Sequence, residues 1–347
     1  MPGVQTSAGL LRDTGGKFLG KAAMKFCPEE VLFFPTAECN LSCPHCSNIV
    51  SDKILSKTLA ASFLSGCKKI GIDKVGFSGG EPFLAEDFVF RLVRKAVEEN
   101  MAFDRIMTNG VWFTNGVELD RVLRGLKRSG YDGDICVSID VFHAQDPRKI
   151  ARFIEAAVRI WNRADIVSIA CVIGFKDSAT RRLIHKLAGA LKADTEGLDT
   201  RHPSIRNGSL FVKILQIDLS PVGRASAFKD PWGKSWFKDD YCRGPGNVLA
   251  VMPDGSVKPC CGYNQESEYL TIGDIARDTP GIIVRRAHKD PLIRAIFETG
   301  LGRLRKRLER RGVRFPGKAD DICFFCNYIL TDVPRRDLLK CIGKRRA

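Results

Sequence analysis

From Val31 to about residue 218, short apolar runs rich in β-branched and aromatic residues alternate with segments of helical period. The pattern predicts six strands, at 31–36, 72–77, 103–108, 134–140, 166–173 and 210–218, and five intervening helices, at 56–69, 86–99, 116–128, 148–162 and 178–191. Strands separated by helices of this length pair in parallel, so we expect an α/β fold with a parallel sheet. A doubly wound sheet and a partial barrel fit the alternation equally well.

Three cysteines follow the first predicted strand at the short spacing C-x3-C-x2-C, namely Cys39, Cys43 and Cys46. Loops at the carboxyl ends of parallel strands commonly form sites, so the thiols lie where chemistry is expected. Soft thiolates select zinc, copper(I) or iron–sulfur clusters, and a cubane cluster held by three cysteines leaves one iron open. Zinc sites usually pair two cysteine hooks, so the triplet favours a cluster over structural cysteines or a zinc knuckle.

A glycine-rich turn follows the second predicted strand, where residues 77–82 read FSGGEP. Gly79 and Gly80 would let the backbone approach a ligand closely, and Glu81 offers an acceptor for an ammonium group. Pro82 suits the first position of the next helix. On its own this segment fits a plain strand-to-helix turn equally well.

Polar residues also follow the third and fourth predicted strands, where Asn109, Ser138 and Asp140 lie at the same edge of the sheet. These side chains are predicted to bind a cofactor there, and the alternative for each of them is the capping of a turn. The polar segment 192–208 is predicted to be a linker or a loop that covers a substrate.

A second set of cysteines lies toward the end of the chain. Residues 246–258 read as a β-hairpin turning at Pro253-Asp254-Gly255, which would bring Cys242 and Cys260 close together. The later C-x2-C pair, Cys323 and Cys326, could then complete a cage of four thiolates. By residue type alone this cage would be a zinc ribbon or an iron–sulfur site.

Composition adds weaker constraints. The 55 basic and 40 acidic residues give a net charge of +15, which favours an anionic partner such as a phosphate, a nucleic acid or an acidic peptide. Much of this charge lies in the runs 303–311 and 344–346, and such runs are most often solvated helix faces or tails. Without an apolar run of eighteen residues or a signal-peptide pattern, we expect a cytoplasmic protein with no membrane partner. Thirteen cysteines there indicate metal binding more than disulfides.

The triplet and the turn together resemble the radical S-adenosylmethionine (radical SAM) family, in its C-x3-C-x2-C signature and its GGEP motif. The resemblance implies a partial (β/α)6 barrel and a [4Fe–4S] cluster on the three cysteines, with the methionine group of SAM on the fourth iron. It also implies SAM contacts from residues that match the family's strand-end motifs. These are Gly79, Gly80, Glu81, Pro82, Asn109, Ser138 and Asp140. His45 stands where relatives often carry an aromatic residue.

The spacing C-x12-G-x4-C, from Cys242 through Gly255 to Cys260, is similar to that in the SPASM and twitch domains of radical SAM proteins. It implies an auxiliary [4Fe–4S] cluster held by Cys242, Cys260, Cys323 and Cys326, in the shorter, single-cluster form. Cys261 or Cys341 could also join this site. A P-x-G-R-A turn at residues 221–225 resembles the family's junction between the two parts. We therefore expect an extension at 1–30, a radical SAM core at 31–220 and a small iron–sulfur domain at 221–347.

The resemblance implies an enzyme that cleaves SAM with one electron and abstracts a substrate hydrogen atom through a 5′-deoxyadenosyl radical. An auxiliary cluster fits a net oxidation, a dehydrogenation or a cross-link, of a small molecule or a peptide, with a flavodoxin- or ferredoxin-type reductant. The alternatives are an RNA-modifying radical SAM enzyme and a non-catalytic metal-knuckle protein that binds nucleic acid. Nucleic acid is less favoured because aromatic residues are not interleaved with the basic run. No catalytic acid or base is predicted.

Overall fold

The computed structural model describes residues 25–48, 51–172, 178–228, 230–238, 242, 246–262 and 267–343. Its described strands form a single sheet in the order β11-β10-β9-β1-β2-β3-β4-β5-β8-β7-β6. The strands are β1 Glu30–Phe33, β2 Lys74–Phe77, β3 Ala102–Thr108, β4 Asp134–Ser138, β5 Val167–Val172, β6 Asp194–Glu196, β7 Ser204–Arg206, β8 Phe211–Ile217, β9 Gly246–Val251, β10 Ser256–Cys260 and β11 Gly273–Asp274.

The centre of the sheet is parallel. Strands β1, β2, β3, β4, β5 and β8 pair in that order, each parallel to its neighbour. These are the six strands that the alternation predicts, and the α/β fold with a parallel sheet is confirmed. Because β6 and β11 are the two edges, the described sheet does not close on itself, which is consistent with a partial barrel.

Two regions differ from the simplest form of the prediction. The segment 192–208 carries β6 and β7 at one edge of the sheet, where β7 pairs antiparallel with β8 and β6 pairs antiparallel with β7. The segment is therefore not only a linker or a covering loop. At the other side, the predicted hairpin is present as β9 and β10, and β9 pairs in parallel with β1. The C-terminal part of the chain therefore extends the same sheet.

Five helices connect the parallel strands at the predicted places. They are α1 Lys57–Lys69, α2 Glu86–Glu98, α3 Gly116–Arg128, α4 Pro147–Trp161 and α5 Ser178–Ala190. Side chains of Ser56, Asn115 and Asp146 accept backbone N–H bonds at the starts of α1, α3 and α4. Such caps satisfy donors that have no partner within the helix, which fixes where each helix begins.

The C-terminal helices pack beside α1 and the edge of the sheet. They are α6 Pro280–Lys289, α7 Pro291–Arg294 with a following π turn at Ala295–Thr299, α8 Leu301–Arg310, α9 Ile322–Thr331 and α10 Arg335–Ile342. Helix α8 contains most of the basic run and buries Leu301, Leu304 and Leu308 on one face. Its lysine and most of its arginines lie away from that face, so the run is largely a solvated helix face, as predicted.

A continuous apolar core fills the space between the sheet and the helices. Phe33, Phe77 and Phe88 are fully buried, and the Phe33 ring lies 6.4 Å from Phe77 and 6.2 Å from Phe88. This packing fixes β1 and β2 against α2 and so positions the loops that follow the two strands. In the described residues, no helix is long and apolar enough to cross a membrane.

Candidate functional site

A pocket of about 410 Å³ lies at the carboxyl ends of the central strands. It brings together all three cysteines of the triplet and residues that follow β2, β3 and β4. Its polar lining includes Cys39, Cys43, Cys46, Ser47, Asn48, Ser78, Thr108, Asn109, Ser138, Asp140, His143 and His45. The backbone of Gly79 and Gly80 also lines it. Most of the predicted cofactor-binding residues therefore share one cavity.

The segment 36–48, which follows β1 and is called the cysteine loop below, presents its sulfur atoms to several N–H donors. The backbone N–H of Leu41 donates to Cys39 Sγ, and that of Asn48 donates to Cys46 Sγ, both at 3.4 Å. Asn109 adds a side-chain donor, with Nδ2 lying 3.8 Å from Cys39 Sγ. Donors to sulfur stabilise thiolates and tune the reduction potential of iron–sulfur clusters. This loop has the donor set that a thiolate-bound cluster needs.

Without a metal, the thiols of Cys39 and Cys43 are protonated near neutral pH, because the pKa of each lies above its ordinary value. Burial raises the pKa of Cys39, and burial and the neighbouring thiols together raise the pKa of Cys43 to about 12. Holding three anionic sulfurs in one half-buried loop is therefore unfavourable unless a cation compensates their charge. Metal or cluster binding must release these protons, since thiolates are the ligands.

The two glycines of the turn after β2 pack directly against the cysteine loop. A Cβ atom on Gly80 would lie 1.9 Å from the carbonyl oxygen of Glu38. Gly79 has a φ of +133°, and a Cβ there would lie 2.8 Å from the carbonyl oxygen of Thr36. The backbone N–H groups of Gly80 and Glu81 donate to Thr36 and Glu38 at 3.0 and 2.7 Å. The glycines are thus required by the loop that carries the cysteines.

The structure places Glu81 beneath the pocket and does not bring its carboxylate into the lining. The side chain is fully buried and accepts three hydrogen bonds, from the backbone N–H of Phe83, the Thr108 hydroxyl and the backbone N–H of Asn109. Burial raises its pKa to about 7, against the lowering effect of these donors. Pro82 is also buried, at the start of a short 3₁₀ helix. In this geometry Glu81 anchors the end of β3, and its acceptor role toward an ammonium group remains a sequence prediction.

Asn109 joins the end of β3 to the cysteine loop. Besides its contact with Cys39, its Nδ2 donates to the Asn40 side chain at 2.7 Å, and its Oδ1 accepts from the backbone N–H of Val111 at 2.9 Å. Asn40 in turn donates to the Val111 carbonyl. The residue caps a turn and also lies beside a thiol of the cysteine loop, and its contact with SAM stays a prediction.

Ser138 and Asp140 lie at the end of β4, where Asp140 is completely buried beside two histidines. His143 Nδ1 lies 2.8 Å from Asp140 Oδ1, and His45 Nε2 lies 3.8 Å from Asp140 Oδ2. Burial would raise the pKa of Asp140, but the contacts with His143 and His45 hold it below its usual value. Burial lowers the pKa of His45. The acidic side chain is thus ionised in the pocket at neutral pH.

Two polar residues at the cysteine loop are not predicted as site residues: Asn48, which lies at the end of the loop, and Arg224, which contacts it from a distant part of the chain. Asn48 lines the pocket and donates its side-chain N–H to the Gly79 carbonyl at 2.6 Å. Arg224 donates Nε to the carbonyl of Cys46 at 3.1 Å. Gly223, with a φ of +61°, brings this turn against Ser47. The P-x-G-R-A turn is the sequence signal for the position of Arg224, although that motif by itself predicts only a junction.

The second cysteine set lies around a separate small cavity of about 30 Å³. Its lining contains Cys242, Cys260, Cys323 and Cys326 together with apolar side chains such as Phe297. Burial raises the pKa of Cys323 and Cys326, and the other thiols of the set raise both further. The four residues that the spacing selects are therefore gathered at one place.

Cys261 and Cys341 lie outside this cavity. Cys341 is on α10, where burial raises its pKa against the lowering effect of Arg311 and Arg307. Cys261 lines the larger pocket with the cysteine triplet, whereas Cys260 lines the smaller cavity. Adjacent residues of an extended strand project to opposite sides, which explains the split. One peptide unit at the end of β10 therefore separates the two cysteine-lined spaces.

Comparisons with known proteins agree with this geometry. The profile of the radical SAM superfamily matches residues 33–186. A probable GTP 3′,8-cyclase of Methanococcus aeolicus is 32% identical over 121 residues, 33% of this chain and 38% of the relative. The GTP 3′,8-cyclase of Lactiplantibacillus plantarum is 29% identical over 232 residues, 63% of this chain and 62% of the relative. The chain thus matches less than two thirds of the length of each of these relatives.

A solved structure described as native anSMEcpe with bound AdoMet shares the fold, with a TM-score of 0.51 and 16% identity. The match covers 90% of this chain and 96% of that one. The superfamily binds a [4Fe–4S] cluster and SAM, and the pocket described above contains the three thiols and the sulfur-directed donors that such a cluster requires. Residues 33–186 are thus similar to the radical SAM domain, over somewhat less than half of the chain.

Proposed function

We propose that this chain oxidises a small molecule or a peptide by radical SAM chemistry, using two [4Fe–4S] clusters. Cys39, Cys43 and Cys46 would hold the first, and the four cysteines around the smaller cavity would hold the second. When bound, the first cluster and SAM supply a one-electron cleavage that yields a 5′-deoxyadenosyl radical able to abstract a substrate hydrogen atom. The role of the protein is to bind and orient SAM and the substrate and to exclude water from them.

The observation that carries the proposal is the junction between the two cysteine-lined spaces. Cys261 lines the pocket of the triplet, and its neighbour Cys260 lines the cavity of the second set. A substrate in the larger pocket would therefore lie close to the second set of thiols, with a covalent path between them. This placement supports a role in accepting an electron from the substrate, as a net oxidation needs.

The residues around the triplet would orient SAM. Ser78, Gly79 and Gly80 line the pocket, and the two glycines would offer main-chain groups to the methionine part. Ser138 lies at the end of β4, where it would contact the ribose or the carboxylate. Glu81 acts below them, because its three hydrogen bonds hold the ends of β2 and β3 at a fixed spacing.

Four thiols around the smaller cavity also support an iron–sulfur cluster whose irons all have protein ligands. A zinc ion on the same four residues is the competing occupant. The lining contributes almost only apolar groups besides the sulfurs, so the cavity excludes water. Such burial suits a group that transfers electrons without binding a substrate.

The relatives and the charge of the chain favour a few chemical classes of substrate. Relatives named GTP 3′,8-cyclase make GTP the first nucleotide to test, and the net charge of +15 fits an anion of this kind. A small alcohol and an acidic peptide are the other classes that fit an oxidation. A nucleic-acid partner would instead use the exposed basic face of α8, and it would bind RNA with a steep dependence on salt.

The proposal is tested by incubating the anaerobically reconstituted protein with SAM and dithionite and measuring 5′-deoxyadenosine by liquid chromatography. We expect 5′-deoxyadenosine from the native protein and none from the triple variant Cys39→Ala, Cys43→Ala, Cys46→Ala. Cys27→Ala removes an exposed thiol outside both spaces and should leave the yield unchanged. A native protein that releases no 5′-deoxyadenosine would exclude the function.

The second site is tested separately by metal analysis. Two cubanes of four irons require about eight iron atoms per chain, and the triple variant should retain about four. The double variant Cys323→Ala, Cys326→Ala should retain the other four and still form 5′-deoxyadenosine. Zinc in place of the second set of irons, or a triple variant without iron, would contradict an independent auxiliary cluster.

A further inference from the structure

Three side chains that ligate metals well converge in the larger pocket, beside the cysteine loop. They are His45, Asp140 and His143, and one ligating atom from each lies within 4.8 Å of the other two. All three line the same cavity. His45 comes from the cysteine loop, while the other two come from the end of β4 and the turn after it, so the fold brings distant parts of the sequence together.

Asp140 is at the centre of this cluster, and only one of its two carboxylate oxygens accepts hydrogen bonds from the described residues. Oδ1 accepts from the backbone N–H groups of Phe142 and His143, at 2.9 and 3.1 Å. Oδ2 is buried and has no hydrogen-bond partner among the residues that the structure describes, and the side chain is completely inaccessible to solvent. A buried carboxylate oxygen without a partner is costly, so the site is built to receive a cation or a donor.

The histidines are placed as ligands more than as hydrogen-bond donors. His143 Nδ1 lies 2.8 Å from Asp140 Oδ1, yet the two atoms are not aligned for N–H donation. His45 Nε2 approaches Asp140 Oδ2 to 3.8 Å, which is too long for a hydrogen bond. The rings of His45 and Phe142 pack with centroids 4.9 Å apart, which restrains the histidine. The two imidazole rings thus face the Asp140 carboxylate, whose Oδ2 lacks a hydrogen-bond partner among the described residues.

We propose that His45, Asp140 and His143 bind one divalent transition-metal ion, separate from the iron–sulfur clusters. Two histidines and one carboxylate form the donor set that suits non-haem Fe²⁺ and related ions such as Mn²⁺. Ligands at about 2.1 Å from a common ion lie about 3.0 Å apart when adjacent and about 4.2 Å apart when opposite. Ligating atoms up to 4.8 Å apart must therefore close by about 0.6–1.8 Å to bind one ion.

Such an ion would keep open positions toward the pocket, because the described part of the chain supplies three ligands. It would bind an oxygen atom of the substrate as a Lewis acid and hold it next to the reacting carbon. The Asp140 carboxylate would then face the ion and the substrate, and the SAM contact predicted for this residue would fall to Ser138. The inference concerns metal binding alone and does not rest on the proposed oxidation.

The test uses Mn²⁺, because this hard ion avoids thiolates. The anaerobically reconstituted protein is titrated with MnCl₂, and the free ion is measured by electron paramagnetic resonance. We expect one Mn²⁺ per chain, with binding weakened at least about tenfold in each of the variants His45→Phe, Asp140→Asn and His143→Gln, as loss of even an outer partner can do. His185→Gln, which removes an exposed histidine on α5, should bind like the native protein.

The variants preserve size or ring packing, and their iron content and circular dichroism report on folding. No stoichiometric Mn²⁺ binding by the native protein would overturn the inference. Binding that persists undiminished in the three variants would overturn it as well, since the ion would then lie elsewhere. Because 5′-deoxyadenosine formation is measured separately, failure of the metal site and failure of the proposed function give different results.

Discussion

Gly80 offers the sharpest test of how the turn after β2 holds the cysteine loop. A Cβ atom added there would lie 1.9 Å from the carbonyl oxygen of Glu38 and 2.9 Å from the carbonyl carbon of Ala37. Both neighbours are backbone atoms and cannot rotate away. The Gly80→Ala variant must therefore separate the turn from the cysteine loop by about 1 Å to restore normal contact distances.

The cost of that separation follows from the contacts that cross the gap. The bonds from the Gly80 and Glu81 N–H groups, at 3.0 and 2.7 Å, would be stretched or broken, at about 0.5–1.5 kcal/mol each. Overpacking at such a site adds about 1–3 kcal/mol. We therefore expect a loss of about 2–6 kcal/mol, together with a displaced Cys39 and weaker cluster binding.

Gly189→Ala is the matched control, because a Cβ on this helical residue meets no atom within 4 Å. It should be as stable as the native protein or slightly more so, since alanine is the better helix former. Urea unfolding and iron content after reconstitution measure the two effects. Gly80→Ala protein with native stability and a full complement of iron would refute the close packing between the turn and the loop.

Four further results are expected. Burial raises the pKa of Glu81 to about 7, so the folded chain keeps a proton that the unfolded chain loses above about pH 4.5. The contribution of Glu81 to the free energy of unfolding is full below that pH and falls by about 3 kcal/mol as the pH rises through about 7. Urea unfolding at pH 5 and pH 8 should show this loss in the native protein and not in Glu81→Gln. Cys260→Ala should lose iron from the second site while Cys261→Ala retains it, as measured by iron analysis; equal losses would refute the split of these neighbours between two spaces. Asn109→Ala should shift the midpoint potential of the first cluster in a redox titration, since it removes an N–H donor from Cys39, and an unchanged potential would refute that role. A chain that ends at residue 220 should aggregate in sedimentation measurements, because an uncovered strand edge is a site for pairing with other chains.

The central fold follows from the sequence because local pattern and tertiary environment agree there. Strands such as β4 and β5 are continuous apolar runs buried within a parallel sheet, and each connecting helix has an amphipathic period. Segment 192–208 lacked such a signal. Its β6 and β7 are three residues long, and their pairing with β8 is set by the sheet edge. Short polar strands carry too little pattern to be predicted.

At the candidate site, the spacing of the sequence motifs indicates which residues take part, but it does not indicate where each side chain points. The four cysteines of the second set were selected by their spacing, and the structure gathers them. Glu81 follows β2 as expected, but its carboxylate turns inward to three donors. Arg224 contacts Cys46 across 178 positions of sequence. Such a contact depends on the assembled fold, so no local pattern contains it.

The order of the strands explains why the two cysteine sets are neighbours. The triplet follows β1, and Cys260 ends β10, while β9 lies between these strands and pairs with both. Val31 to Phe33 align with Leu249 to Val251, so β9 covers an edge of β1 that would otherwise be exposed. The boundary that we propose near residue 221 therefore divides the sequence but not the sheet. Any electron transfer between the two sites would run between neighbouring parts of one sheet on the side of Cys260, whereas Cys323 and Cys326 reach the second site from α9.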